Sequence, residues 1–169
     1  MSDKYPTDGI PPASAGIYDE NQMAIRILLA NHQPIIRAGL RLLLERETDF
    51  QIVAEAADGK EAMILAEYKR PHVALLEIQL PQVNGIALAK GLHSQKVIFV
   101  TSHTDVGYVI QAFRAGARGY VDADSAPTDL APAIRAVAAD KIFVSPAICD
   151  KFAAASQYLP ACEDNVLIP

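Results

Sequence analysis

The sequence predicts an open, doubly wound α/β sheet of five short parallel strands with helices on both faces. Three observations carry this expectation. Short, nearly all-apolar runs recur between residues 25 and 122, the composition of strands buried on both faces. Between them lie segments whose apolar residues fall at helical spacing. The two patterns alternate along the chain, and such alternation builds a parallel sheet covered on both sides.

The elements follow in order. Ile25–Ala30 reads as the first strand. Pro34 opens a helix to about Arg46, because proline at the first helical position gives up only an N–H that had no partner. Ile36, Leu40, Leu43 and Leu44 share one helical face and are expected against the sheet. Gln51–Ala56 is the second strand, and Gly59 to about Tyr68 a helix with Asp58 as its N-cap. Val73–Ile78 is the third strand, followed by a short helix from Gly85 to about Leu92. Lys96–Thr101 is the fourth strand, and Asp105–Ala115 a helix closed by Gly116. Gly119–Asp122 is the fifth strand and Pro127–Ala139 the last helix. Ala126 stands where a capping Ser or Thr is expected, and Pro132 removes one intrahelical N–H and is expected to kink that helix.

Single domains cluster near about 100–150 residues, so 169 residues suggest one domain with extensions. Residues 1–23, rich in Pro, Gly, Ser and Asp, read as a flexible arm, 24–146 as the domain, and 147–169 as a connector or tail. The 51% hydrophobic content suffices for a core, and the net charge of -5 argues against free-standing nucleic-acid binding. No apolar run reaches the length of about 18 residues expected of a membrane span, and no basic stretch leads into an apolar one at the N-terminus. A cytoplasmic location without membrane contact is therefore expected. Cys149 and Cys162 lack CxxC or His-containing metal spacing and read as reduced thiols.

Enzymatic motifs are missing as well. There is no GxSxG, no glycine-rich phosphate loop and no Cys/His nucleophile arrangement. The turn Asn31-His32-Gln33-Pro34 holds no glycine, which disfavours a dinucleotide. The expectation is a protein that is not an enzyme. The informative residue is Glu77, at the C-terminal end of the apolar run Val73–Leu76 and just before Leu80-Pro81. Ligands of open α/β sheets bind beyond the C-terminal ends of the strands, so an acid there is a candidate functional group.

Five stretches, taken in order, resemble the receiver domain of bacterial response regulators of the NarL/FixJ (LuxR) type. They are Ile27-Leu28-Leu29-Ala30 with Pro34 and Arg37-Ala38-Gly39-Leu40; Ala54-Glu55-Ala56-Ala57-Asp58-Gly59; Leu80-Pro81 with Gly85; Ala112 through Tyr120; and Ile142-Phe143-Val144-Ser145-Pro146. The resemblance covers residues of about 25–148 and implies the flavodoxin-like receiver fold, two-component signal transduction and, through a phosphorelay, transcription regulation. It also implies site roles. The family holds Mg²⁺ with two acids after the first strand, where this chain has Asn31 and His32. Its phosphoacceptor Asp is matched by Glu77, and its phosphoryl-neutralising Lys by Ala123. The switch Thr and the switch aromatic residue are retained as Thr101 and Tyr120.

A degenerate pocket, or pseudo-receiver, follows from these departures. Mg²⁺ prefers octahedral oxygen ligands that include carboxylates, so its binding is expected to be lost and no cofactor is expected. Phosphoryl transfer rests on positioning and charge neutralisation, so a phosphorylation-independent domain acting by protein contact is expected ahead of a weakly phosphorylated one. A small-ligand sensor using the emptied pocket is a third possibility. For Glu77, an ion pair with His32 and simple tolerance at a polar sheet end rank equally, with imitation of the phosphorylated state behind both. His32 and Glu77 without a third ligand are a weak metal signal. On the first helix Ile35, Ala38 and Leu42 form an apolar stripe, and the resemblance makes it a candidate dimer face, ahead of the switch face. The partner is expected to be another protein or a second copy. The resemblance also implies a C-terminal helix-turn-helix; residues 147–169 are too short for one, so DNA contact is expected only through a domain not in this chain.

Overall fold

The computed structural model describes residues 24–153, together with 162–163 and 166–167. The expected arm and most of the expected tail lie outside the described residues. Six strands form one parallel sheet: β1 (Ile25–Ala30), β2 (Phe50–Ala56), β3 (Val73–Leu76), β4 (Lys96–Thr101), β5 (Gly119–Asp122) and β6 (Phe143–Val144), in the spatial order β2-β1-β3-β4-β5-β6. The helices are α1 (Pro34–Glu45), α2 (Gly59–Lys69), α3 (Gly85–Gly91), α4 (Val106–Arg114), α5 (Ala126–Ala138) and α6 (Pro146–Ala153). Beyond them, β7 (Cys162–Glu163) and β8 (Val166–Leu167) pair antiparallel. The strand order reverses between β1 and β3, which opens a crevice at their C-terminal ends.

Alternate side chains of each strand enter opposite layers. Leu28, Ala74, Leu76, Val97, Phe99 and Tyr120 join the cluster that also holds α2, α3 and α4 residues. Ile27, Leu29, Val73, Leu75, Ile98 and Val121 join the cluster with Leu40 and Leu44 of α1 and Leu130, Ile134 and Val137 of α5. Each fully buried aliphatic side chain contributes about 1.5–3 kcal/mol, so β1, β3 and β4 form a rigid floor for the crevice.

The sixth strand was not expected. Phe143 and Val144 are both buried and enter opposite clusters, so the stretch read as connector pairs with β5 instead. Ile36 is 40% exposed rather than packed on the sheet, because Leu40 and Leu44 supply the buried line of α1. Pro132 lies inside an unbroken α5. Its missing N–H would have bonded the carbonyl of Thr128, and both residues are exposed, so water can serve the freed group. The N-cap of α5 is Ser125, one residue before Ala126, and its side chain makes no capping bond.

Local chemistry fixes the ends of other helices. Asp58 accepts from the Glu61 amide at 2.8 Å as the N-cap of α2, while the Glu61 carboxylate accepts from the amide of Ala57, the residue before the cap, at 2.9 Å. Gly116, with φ of 98°, takes the left-handed turn after α4. Gly85 starts α3 against β3. A Cβ there would stand 2.2 Å from the Glu77 carbonyl oxygen, and its amide donates to the Ile78 carbonyl at 2.8 Å. Only glycine permits that approach, which holds the turn carrying Glu77 in place.

Candidate functional site at the strand ends

Glu77 immediately follows β3, with its amide donating to the Ala30 carbonyl of β1 at 3.0 Å. Its carboxylate turns toward β4. Oε1 accepts from the Thr101 hydroxyl at 2.7 Å, from the Ile78 amide at 2.6 Å and from the Gln79 amide at 3.3 Å. Thr101 ends β4 and is fully buried. Its hydroxyl also accepts from the His103 amide at 3.2 Å. The His103 carbonyl in turn accepts from the phenol of Tyr120, a fully buried residue of β5. Burial first, and then the negative charge of Glu77, push the Tyr120 phenol well above its ordinary pKa, so it remains a donor. A continuous chain of hydrogen bonds thus runs from the acid after β3, through the loop after β4, to β5.

The β1 side is different. Asn31 is buried, and its side-chain oxygen accepts from the Gln33 amide at 2.8 Å, an Asx turn that starts α1. Its carbonyl accepts from Arg37 at 2.6 Å, and Arg37 also reaches Glu55 at 3.6 Å. His32 Nδ1 is buried without a hydrogen-bond partner. Neither a hydrogen bond nor an ion pair joins His32 to Glu77, since the carboxylate is engaged by Thr101. The His32–Glu77 pairing, one of the two readings that rank equally on the sequence, is therefore not formed. Ala123, in the short 3-10 turn after β5, adds no charge. Among the described residues no three His, Cys, Asp or Glu side chains come together as a metal site.

Ile35 (78% exposed) and Leu42 (64%) lie outward on α1, with Ala38 half-buried between them. A hollow of about 770 Å³ opens at the opposite, N-terminal end of the strands, lined by Arg70, His72, Ser94 and Lys96 among others. Lys96 is already committed there to the Ala138 carbonyl and to Asp140, each at 2.8 Å. It serves the C-terminal end of α5.

Residues 27–135 match the response regulator receiver domain family. The chain belongs to that family. As a receiver domain it is 38% identical over 122 residues to the transcriptional regulatory protein YxjL of Bacillus subtilis, covering 70% of this chain and 56% of that protein. It is 32% identical over 139 residues to the nitrate/nitrite response regulator protein NarL of Escherichia coli K12, covering 79% of this chain and 64% of NarL. A crystal structure of a LuxR-family two-component response regulator from Aurantimonas sp. SI85-9A1 superposes with a TM-score of 0.74 at 33% identity, covering 79% of this chain and 98% of that one. The receiver spans little more than half the length of the first of these curated relatives. No helix among the described residues is long and apolar enough to cross a membrane.

Receivers of this kind imply Mg²⁺, and the donor set here does not fit it. The oxygen of Asn31 is turned to Gln33, and Oε1 of Glu77 already accepts three hydrogen bonds. His32 offers nitrogen, a poor match for so hard a cation. His103 contributes only backbone groups to this chain of bonds, which leave no mark in side-chain identity, so its role is not legible in the sequence. The role of Arg37 was equally hidden, since it acts on the carbonyl of Asn31.

Proposed function

We propose that this receiver domain works without phosphorylation, in bacterial signal transduction and transcription regulation, by contact with another protein chain. The observation that carries the reading is the 2.7 Å hydrogen bond from the Thr101 hydroxyl to Glu77. Glu77 occupies the phosphoacceptor position and makes with its own carboxylate the contact that a phosphoryl oxygen would make with Thr101. Imitation of the modified state, ranked last on the sequence alone, thereby becomes the preferred role for Glu77. The pocket that would carry out the transfer lacks its acids at Asn31 and His32 and its cation at Ala123, and single electrostatic contributions of that sort are each worth about 3–4 kcal/mol. In this reading the domain needs no Mg²⁺, catalyses nothing and resides in the cytoplasm.

The partner surface in this reading is α1, where Ile35 and Leu42 present an apolar stripe beside Ala38. A second copy of the chain is the simplest occupant, because a two-fold contact needs only one self-complementary patch. Relatives named as transcriptional regulatory proteins are longer than this chain, and DNA contact is assigned to such additional sequence rather than to the receiver. The test is incubation of the full chain with acetyl phosphate and Mg²⁺, followed by intact mass measurement. An unchanged mass is expected for the wild type. A phosphoryl adduct lost in Glu77→Ala would instead establish a working phosphorelay receiver.

A further inference from the structure

α2 turns its small residues to the sheet and its large apolar ones to solvent. Gly59, Ala62 and Ala66 are its buried residues, and the two alanines join the cluster beneath. Met63 is 42% exposed, Ile64 59% and Tyr68 80%. Single exposed apolar residues are ordinary, whereas several on one stripe mark an interaction surface. Ile64 and Tyr68 stand one turn apart and share the outward face, flanked by exposed Lys60 and Glu67. The Lys69 ammonium lies 5.4 Å from the centroid of the Tyr68 ring. Toward the other end of the helix a hollow of about 330 Å³ opens beside Ile64, lined by Asp58, Lys60, Glu61, Ile64, Leu65 and Gln82. These features complement one another when two copies of α2 lie antiparallel about a two-fold axis near Ile64. Lys60 and Glu67 are seven residues apart, about two turns, so they fall on one flank with Ile64 near their midpoint. The rotation therefore sets Lys60 of each copy against Glu67 of the other. It also carries Tyr68 of each copy to the level of Gly59 and Lys60 in the other, on the flank where Asp58 and Glu61 border the hollow.

We propose that α2 is a docking surface for a second copy of this chain, paired antiparallel about Ile64, with Tyr68 of each copy seated in the hollow of the other and Lys60 facing Glu67 at both ends. Tyrosine suits such an anchor, because it buries a large ring and keeps a polar tip. The phenol then meets the carboxylates of Asp58 and Glu61 as acceptors at the rim. The inference goes beyond the function proposed above and does not depend on the state of Glu77. The stripe of α1 belongs to the layer on one face of the sheet and α2 to the layer on the other. Self-contacts through α1 and α2 can therefore alternate, and they lengthen the assembly beyond a pair.

Sedimentation velocity on the full chain, at concentrations up to about 1 mM, tests this. Leu42→Glu, which disables the α1 stripe, is expected to leave a monomer–dimer equilibrium. Adding Ile64→Glu to it should leave only monomer, and adding Tyr68→Ala instead should weaken the dimer at least about ten-fold. In the same Leu42→Glu background, Lys60→Glu sets like charges together at both ends of the contact. It should weaken the dimer about ten-fold, as for two exposed ion pairs lost. Lys60→Glu combined with Glu67→Lys should restore it, because the rotation brings the reversed charges together again. A Leu42→Glu protein that is monomeric throughout, or a dimer that survives Ile64→Glu, would overturn the contact. Double reversal that fails to restore the dimer would overturn the antiparallel pairing. Ile64→Glu alone should still dimerise through α1; if it is monomeric while Leu42→Glu dimerises, the role given to α1 falls and the contact through α2 stands.

Discussion

On the β3–β4–β5 side of the crevice, Glu77, Thr101, His103 and Tyr120 pass hydrogen bonds from one to the next across three strands. On the β1 side, Asn31 satisfies its neighbours Gln33 and Arg37, and His32 leaves a ring nitrogen unpartnered. Both sides sit on equally buried strands. The difference is in what the side chains do after the strands end. One side links separate elements; the other only shapes its own turn and helix start. Positioning and charge supply are thus separable in this fold, since the first persists where the residue types for the second are missing.

The largest expected effect comes from the clamp beneath the linked side. Gly85→Ala forces a Cβ onto the Glu77 carbonyl, with a backbone atom that cannot swing away. Urea denaturation should show a loss of about 3 kcal/mol, the upper part of the overpacking range. A loss below about 0.5 kcal/mol, within the scatter of surface substitutions, would mean that α3 does not hold the turn.

A double-mutant cycle on Glu77→Ala and Thr101→Val should give a coupling of about 1.5–3 kcal/mol, as for a hydrogen bond to a charged acceptor. The matched change on the other side, His32→Gln, should stay within about 0.5 kcal/mol. Equal effects on the two sides would erase the contrast.

A further small effect lies outside both sides. Arg135 of α5 donates to Asp49 at 2.9 and 2.8 Å and to Glu47 at 2.5 Å, tying α5 to the turn before β2. That guanidinium holds the Asp49 carboxyl below its usual value. A depressed folded-state pKa gives stability that is present above the unfolded value and is lost as pH falls through the folded one. Stability should therefore decline on acidification below about pH 4, and Asp49→Asn should flatten part of that decline. Because the pair is solvent-exposed, the part removed should be under about 1 kcal/mol.

Much of the fold was legible because burial on two faces leaves a strong apolar record. β1, β4 and β5 begin and end where the residues indicate, and the cap at Asp58 and the turn at Gly116 follow from residue chemistry. β6 escaped notice because two apolar residues are too short a run to separate a strand from a connector. Ile36 was misplaced because a helix with apolar residues at 35, 36, 40, 42, 43 and 44 offers more than one face, and only packing selects between them. In the crevice, the positions of Asn31, Glu77, Thr101 and Tyr120 were readable from the order of strands and motifs. Their connections were not. Glu77 had two polar neighbours in prospect, His32 and Thr101, and the choice depends on the direction of a flexible side chain that the backbone amides of Ile78 and Gln79 fix.

For the Thr101 hydroxyl, Glu77 is an anion on a covalent tether. Even flexible short tethers give effective concentrations in the range of about 1 mM and up, and a carboxylate held by two backbone amides is far from flexible. A free anion below that concentration competes at a disadvantage set by the ratio. Tight binding elsewhere on the domain does not help it, because an equilibrium moves only by the difference in affinity for its two states. The contact at Thr101 is thereby written into the primary structure, to be revised by substitution.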